Sequence, residues 1–233
     1  MYLINTKPDK VNNPVYYIYL VMIMCIGWIG LFLIKLRDSF VKGGGEIDRA
    51  VISYMSEIRN EHLNKAFIII SRSGDTVVAI ILTLLIVIFL FKLQKRREAK
   101  FYAVNIFVIA VLSQGLKYLS KRPRPEGQWL VDISGYSNVG GYSFPSGHST
   151  ISMAGALVVI YFILDNFRNR ILAHILSIII FLYAALVGIS RVYVGVHYFS
   201  DVIGAWAIAS LWVLIILVIF RRKRKGKDYS YLR

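Results

Sequence analysis

Apolar residues in this chain gather into long runs separated by short polar stretches. Six runs stand out, at residues 15–36, 76–91, 101–120, 149–164, 171–189 and 201–220. A helix needs about 20 apolar residues to cross the hydrocarbon core of a bilayer, which is about 30 Å thick. The pattern therefore predicts an all-α, polytopic membrane protein with six transmembrane helices, forming a single membrane-embedded domain over residues 1–233. The first run is too long for the apolar core of a signal peptide and has no clear small-x-small cleavage site, so it is read as a membrane anchor.

Between the first two runs the period changes. Ile47, Ala50, Val51, Tyr54, Met55 and Ile58 fall on one helical face, and Glu46, Asp48, Arg49, Glu57 and Arg59 fill much of the remainder. This predicts short amphipathic helices in the first extracytoplasmic loop, lying either in the membrane interface or as a cap over the bundle. A second short apolar piece, residues 66–70, precedes Ser71, Arg72, Ser73 and Gly74.

Composition fixes the orientation. The 28 Lys and Arg outnumber the 13 Asp and Glu, for a net charge of +15, in a chain that is 57% hydrophobic. Such a balance in a soluble protein points to nucleic acid. Here the basic residues flank membrane runs, so a nucleic-acid partner is not expected. Lys92, Lys95, Arg96, Arg97 and Lys100 follow the second run, Arg168 and Arg170 follow the fourth, and residues 221–227 form a basic tail. The positive-inside rule puts these segments, and with Lys7 and Lys10 both termini, in the cytoplasm. The tail serves as a topology anchor or attracts anionic lipid. The one cysteine, Cys25, cannot form an intrachain disulfide, and its place in an apolar run suits packing. Gly155, Gly188, Gly204, Ala205, Ala207 and Ala209 suit close helix packing. No protein partner is readable.

Some cations run against the charge bias. Lys117, Lys121, Arg122 and Arg124 lie at or in the third loop and Arg191 in the fifth, all on the outer side. An anionic ligand on that face would explain them. Three clusters there carry chemistry. Lys117 stands near a helix end, and Pro123 and Pro125 force extended backbone that lets Arg124 fold back toward it. Together they offer a point charge and a planar fork for phosphate oxygens; the bland alternative is a pair of snorkelling cations. Pro145, Ser146, Gly147 and His148 directly precede an apolar helix, whose free amides and dipole make an anion site. The alternative is a serine cap with an incidental histidine. In the third cluster, Ser190 and Arg191 precede His197 and Asp201, which are four residues apart and share a face if the last helix has begun. A carboxylate on one imidazole nitrogen leaves the other free to attack; the alternative is a polar cap with an interfacial histidine. All three clusters fall on the same side of the membrane.

With these residues in place the chain resembles the type 2 phosphatidic acid phosphatase superfamily of integral membrane lipid phosphatases, with the compact form of its bacterial phosphatidylglycerophosphate and undecaprenyl pyrophosphate phosphatases. The pattern K-x6-R-P, then P-S-G-H, then S-R-x5-H-x3-D is matched at Lys117 with Arg124 and Pro125, at Pro145 to His148, and at Ser190, Arg191, His197 and Asp201. The spacing selects Arg124 over Arg122, although Arg122 and Pro123 imitate the motif.

The resemblance implies a metal-independent, two-step phosphoryl transfer without a cofactor. His197 would attack phosphorus, Asp201 orient it, and His148 protonate the leaving oxygen and then activate water. Lys117, Arg124, Ser146, Gly147, Ser190 and Arg191 would hold the phosphate. The sequence has no carboxylate cluster of the kind a magnesium site requires. The implied substrate is a membrane lipid, with phosphatidylglycerol phosphate first, undecaprenyl pyrophosphate second and phosphatidic acid third. A non-catalytic phospholipid-binding or transport protein would not need His197, Asp201 and His148 together. The vanadate-binding haloperoxidases that share this site are soluble, which the six runs disfavour. His62 and His174 match no motif and receive no role.

Overall fold

A computed structural model describes residues 44–126 and 140–230, with side chains as far as residue 221. The first expected span at residues 15–36, with Cys25, Lys7 and Lys10, lies outside the described residues. The regular elements are seven helices among the described residues: α1 (Glu46–Glu57), α2 (Glu61–Ser73), α3 (Thr76–Lys92), α4 (Arg96–Ser120), α5 (Gly147–Asn166), α6 (Arg170–Tyr193) and α7 (Phe199–Ser230).

Four of them are long and apolar enough to cross a membrane: α4, α5, α6 and residues 199–221 of α7. At 17 residues, α3 spans about 25 Å at ~1.5 Å per residue. Together with α2, from which it is bent by 56°, it makes a candidate fifth span. Val77, Ile80, Ile81, Leu84, Leu85, Ile88 and Phe89 are all exposed on α3, as expected of a helix whose outer surface meets lipid rather than water.

The bundle is built around α5, which packs against α4, α6 and α7 and buries most of its length. Small residues allow this. Ala154 and Ala156 of α5, Ala184 of α6, and Ala205, Ala207 and Ala209 of α7 are buried, so backbones approach closely where the hydrophobic effect gives no drive between helices in lipid. Gly188 shows how closely: a Cβ there would fall 2.8 Å from Trp206. Buried Asn105 of α4 ties three helices, accepting from Trp212 Nε1 of α7 at 3.0 Å and donating to the Ala154 carbonyl of α5 at 3.3 Å.

Short turns alternate the helix directions. The α3–α4 turn, the α5–α6 turn and the end of α7 share one end of the bundle, where Lys95 bonds Asn166 and Arg97 Nη2 donates to the Phe220 carbonyl at 2.5 Å. At the other end lie the end of α4 and the start of α5, together with the end of α6 and the start of α7. Against α6 and α7 at that end lies α1, with Val51 and Met55 on the apolar core and Asp48 fully buried.

Three boundaries depart from the hydropathy runs, one of them the end of α7, which continues past residue 220 to Ser230. Helix α4 begins at Arg96 rather than 101, because a polar first turn extends the helix beyond its apolar stretch. Helix α6 continues past 189 through Ser190 and Arg191 to Tyr193. Arg191 therefore belongs to the last helical turn and not to the fifth loop.

Candidate active site

The site forms where four chain segments meet. Helix α4 ends at Ser120, and Lys121 takes the left-handed conformation at φ 46°. The chain then runs extended through Pro123 and Pro125. It is laced to the segment before α5: Ser143 N donates to the Arg122 carbonyl at 2.8 Å, Ser143 Oγ to the Pro123 carbonyl at 2.9 Å, and Ser120 Oγ to the Phe144 carbonyl at 2.9 Å. Lys117 Nζ donates to the Tyr142 carbonyl at 3.2 Å, and Arg124 reaches the Gly140 and Gly141 carbonyls at 3.2 and 3.3 Å. The first cluster thus folds back onto itself as its prolines suggested.

Between α6 and α7 the chain turns in five residues. Gly195 makes this possible with φ 86°, a conformation costly for any residue with a Cβ. The Arg191 carbonyl accepts from both Val196 N at 3.2 Å and His197 N at 3.3 Å. His197 lies two residues before α7 begins, yet still pairs with Asp201 at Nδ1···Oδ2 3.3 Å. Nδ1 donates to the carboxylate, so Nε2 carries the lone pair. Arg124 Nη1 lies 3.3 Å from that Nε2 and donates to the Val196 carbonyl at 2.8 Å.

Asp201 is held on every side. Oδ2 also accepts from Tyr198 N at 2.9 Å, and Oδ1 accepts from Arg122 Nη1 at 2.6 Å. Arg122 Nη2 reaches Asp48 Oδ2 of α1 at 2.8 Å. Asp48 in turn accepts from Ser200 N at 2.8 Å and Ser200 Oγ at 2.6 Å. The Arg122 guanidinium lies 4.3 Å from the Tyr198 ring centroid. A carboxylate so deeply buried is tolerable only with such pairing. Arg122, which spacing set aside as an imitation of the motif, is the arginine that braces Asp201.

Burial lowers the proton affinity of His197 well below the ordinary 6.5, and Arg124, Arg191, Lys117 and His148 push in the same direction. The ring is neutral at neutral pH, the state a nucleophile needs. Burial, with Arg191 beside it and Asp201 opposing, brings Arg124 down to about 10, so it stays charged.

The second cluster opens α5. Ser146 is its N-cap, accepting from Ser149 N and from Ser149 Oγ at 2.8 Å, and Ser146 N reaches the Asp201 carbonyl at 3.4 Å. The serine-cap alternative is thus also true of Ser146. The histidine beside it has a partner on another helix: His148 Nε2 lies 2.9 Å from Asp75 Oδ1, at the head of α3. A Cβ on Gly147 would lie 4.0 Å from both Lys117 Cε and Ser113 Oγ. It would enter the space between α4 and α5. Ser113 Oγ is buried there with no hydrogen-bond partner among the described residues.

Arg191 lies in the site, its Nη1 donating to Ser71 Oγ of α2. Ser190 does not offer its proton, which goes to the Val187 carbonyl at 2.7 Å within α6. His62 and His174 are exposed, on α2 and α6.

Residues 98–225 match the PAP2 superfamily. The chain belongs to that superfamily, and it is a membrane-embedded phosphoric ester hydrolase. This PAP2 chain is 28% identical to phosphatidylglycerophosphatase B of Bacillus subtilis over 173 residues, 72% of the chain and 81% of that protein. It is 31% identical to an undecaprenyl-diphosphatase of Sulfolobus acidocaldarius over 201 residues, covering 82% and 89%. Its fold is similar to the crystal structure of the transmembrane PAP2-type phosphatidylglycerolphosphate phosphatase from Bacillus subtilis, with a TM-score of 0.65, 25% identity, and 93% and 96% of the two chains covered.

Reading the sequence by motif missed Asp48, Ser71, Asp75, Ser113 and the bracing role of Arg122. One signal was available for Asp75: an acid at the head of an apolar run, where helix starts favour acidic caps. Nothing local marks Asp48 as a partner of a residue 74 positions away.

Proposed function

We propose that this chain is a metal-independent lipid phosphatase that works through a phosphohistidine on His197. The observation that carries the reading is the His197–Asp201 pair, with Nδ1 committed to the carboxylate and Nε2 turned to the Arg124 guanidinium. In the first step Nε2 attacks phosphorus, the bond from phosphorus to the ester oxygen breaks, and His148 gives that oxygen a proton. In the second, water attacks phosphorus, the N–P bond breaks, and His148 takes the water's proton. Lys117, Arg124 and Arg191 neutralise the charge that grows on the phosphoryl oxygens, the part a metal plays elsewhere. Ser146 and the amides at the start of α5, Gly147 among them, add donors. Ser190 would contribute only after releasing the Val187 carbonyl.

The substrate we favour is phosphatidylglycerol phosphate, hydrolysed to phosphatidylglycerol. The phosphatidylglycerophosphatase relative and the similar crystal structure support it. Undecaprenyl pyrophosphate is the second reading, favoured by the higher identity and coverage of the undecaprenyl-diphosphatase. A lipid of either kind suits an apolar cavity of about 270 Å³ that adjoins the site at Gly74 and runs between α3, α4, α5 and α6 past Ile86, Ile106, Ile151 and Val159. There an acyl or prenyl tail could stay in the bilayer while the head group reaches His197. We further propose six spans in one domain over residues 1–233, with both termini cytoplasmic and the site extracytoplasmic. The basic segments at the opposite end of the bundle support that orientation.

The test is phosphate release by the purified full chain in detergent with a chelator present, from phosphatidylglycerol phosphate, undecaprenyl pyrophosphate and phosphatidic acid. Metal-free release is expected, fastest from the first. No release from any of the three overturns the reading, and activity lost on chelation overturns the metal-free mechanism. A cysteine introduced within residues 126–142 should react with an impermeant reagent from outside intact cells; protection there overturns the orientation.

A further inference from the structure

The corner between α2 and α3, residues 71–75, reaches the site from a part of the chain that carries none of the three motifs. Ser71 accepts from Arg191. Gly74 lies flat against the His148 ring: a Cβ there would fall 3.0 Å from His148 Cδ2 and 2.6 Å from Val187 Cγ1. Only glycine lets corner and ring approach so closely. The next residue, Asp75, sets Oδ1 2.9 Å from His148 Nε2. Asp75 is also the N-cap of α3, where an aspartate ordinarily accepts from the amides of its own first turn. Asn60, Ser146 and Asn169 do this for α2, α5 and α6, whereas the Asp75 side chain makes no cap bond. Its carboxylate is turned to the histidine instead.

We propose that Asp75 is a positioning residue for His148: it holds Nε2–H and leaves Nδ1 to move the proton. The inference rests on the acid–base role given to His148 above. In the first step the imidazolium gives its Nδ1 proton to the ester oxygen as the P–O bond breaks and the N–P bond forms, and the carboxylate stabilises the charged ring until then. In the second, neutral Nδ1 takes a proton from water as the new P–O bond forms and the N–P bond breaks, and the carboxylate fixes the tautomer that leaves Nδ1 open.

The experiment compares Asp75→Asn, His148→Ala and the double variant in the full-length chain, using phosphatidylglycerol phosphate and p-nitrophenyl phosphate. Nitrophenolate leaves without a proton, so the first turnover on that substrate needs no acid. Asp75→Asn should slow lipid turnover on the order of 10²-fold, the scale of general acid–base catalysis. On p-nitrophenyl phosphate it should leave the initial burst within about threefold of wild type, then stall with phosphoenzyme accumulated. The double variant should be no slower than His148→Ala, since a residue acting through His148 has nothing left to act on. If His148→Ala is slow and Asp75→Asn turns over normally, the inference falls and the mechanism stands. Equal slowing of burst and turnover, or a double variant slower than His148→Ala, also overturns it. Wild-type turnover by His148→Ala overturns the mechanistic reading, and this inference with it.

Discussion

His197 and Asp201 lie 3.3 Å apart with side chains 2% and 0% exposed, whereas His148 and Asp75 lie 2.9 Å apart with side chains 20% and 32% exposed. The first pair is four residues apart in one turn, and its carboxylate is braced by Arg122, which is itself braced by Asp48. The second pair joins the heads of two helices across 73 residues. The difference suits the roles proposed for the two histidines. A nucleophile must present one lone pair along one line, so a dry, over-determined seat serves it. A proton carrier must meet first a leaving group and then water, so its seat must remain wettable while its tautomer stays fixed.

The largest effect should come from removing the buried pair's histidine. His197→Ala is expected to lose at least ~10⁴-fold in lipid phosphate release while eluting as a folded protein in detergent. Full activity would remove the contrast altogether. Next comes stability. Arg122→Ala leaves Asp48 and Asp201 buried without their shared cation and should cost ~3–5 kcal/mol, read by thermal or denaturant unfolding in detergent. Asp75→Asn breaks a partly exposed pair, and its stability cost should stay at or below ~1 kcal/mol. Equal losses would show that the two pairs are not differently built.

A pH series sharpens the comparison. The folded His197 holds its proton far more weakly than the unfolded value of 6.5. The p-nitrophenyl phosphate burst should therefore stay level as pH falls from mildly alkaline through 6.5, and drop only well below it. The sign for stability follows from the same shift. The unfolded chain takes up the proton near 6.5 and the folded chain does not, so this contribution is complete above that pH and shrinks as pH falls below it. A burst that halves at or above 6.5 would contradict the dry seat. The smallest effect belongs to Gly147→Ala. Its Cβ would enter the space beside Lys117 and Ser113, raising KM a few-fold with less change in kcat.

The two pairs also differ in how far they could be read from sequence. His197 and Asp201 are legible because their partnership is local: a spacing of four survives whether or not the helix has begun, and here it begins at Phe199, between them. Lys117 and Arg124 are legible for the same reason, with prolines that turn the chain back. The spans at α4 to α7 were legible from hydropathy, but hydropathy ended the fifth run at residue 189 because Ser190 and Arg191 look like loop. The helix carries them because Ser190 bonds its own turn and Arg191 finds Ser71 on another helix. Asp75 with His148, and Asp48 with Arg122, are tertiary pairings over more than 70 residues. Only the packing of α1 and of the α2–α3 corner brings them together. Spacing identifies the arginine that fits the motif and says nothing about a neighbour such as Arg122 that supports another motif.

The central claim is that phosphate passes through His197 and leaves with the help of His148. It is tested most directly by mixing the His148→Ala protein with ³²P-labelled p-nitrophenyl phosphate, quenching in alkali, and mapping the label. The account predicts an alkali-stable, acid-labile phosphoryl group that accumulates on His197 and is absent from the His197→Ala, His148→Ala double variant. Label on any other residue, or label that persists in the double variant, would contradict it.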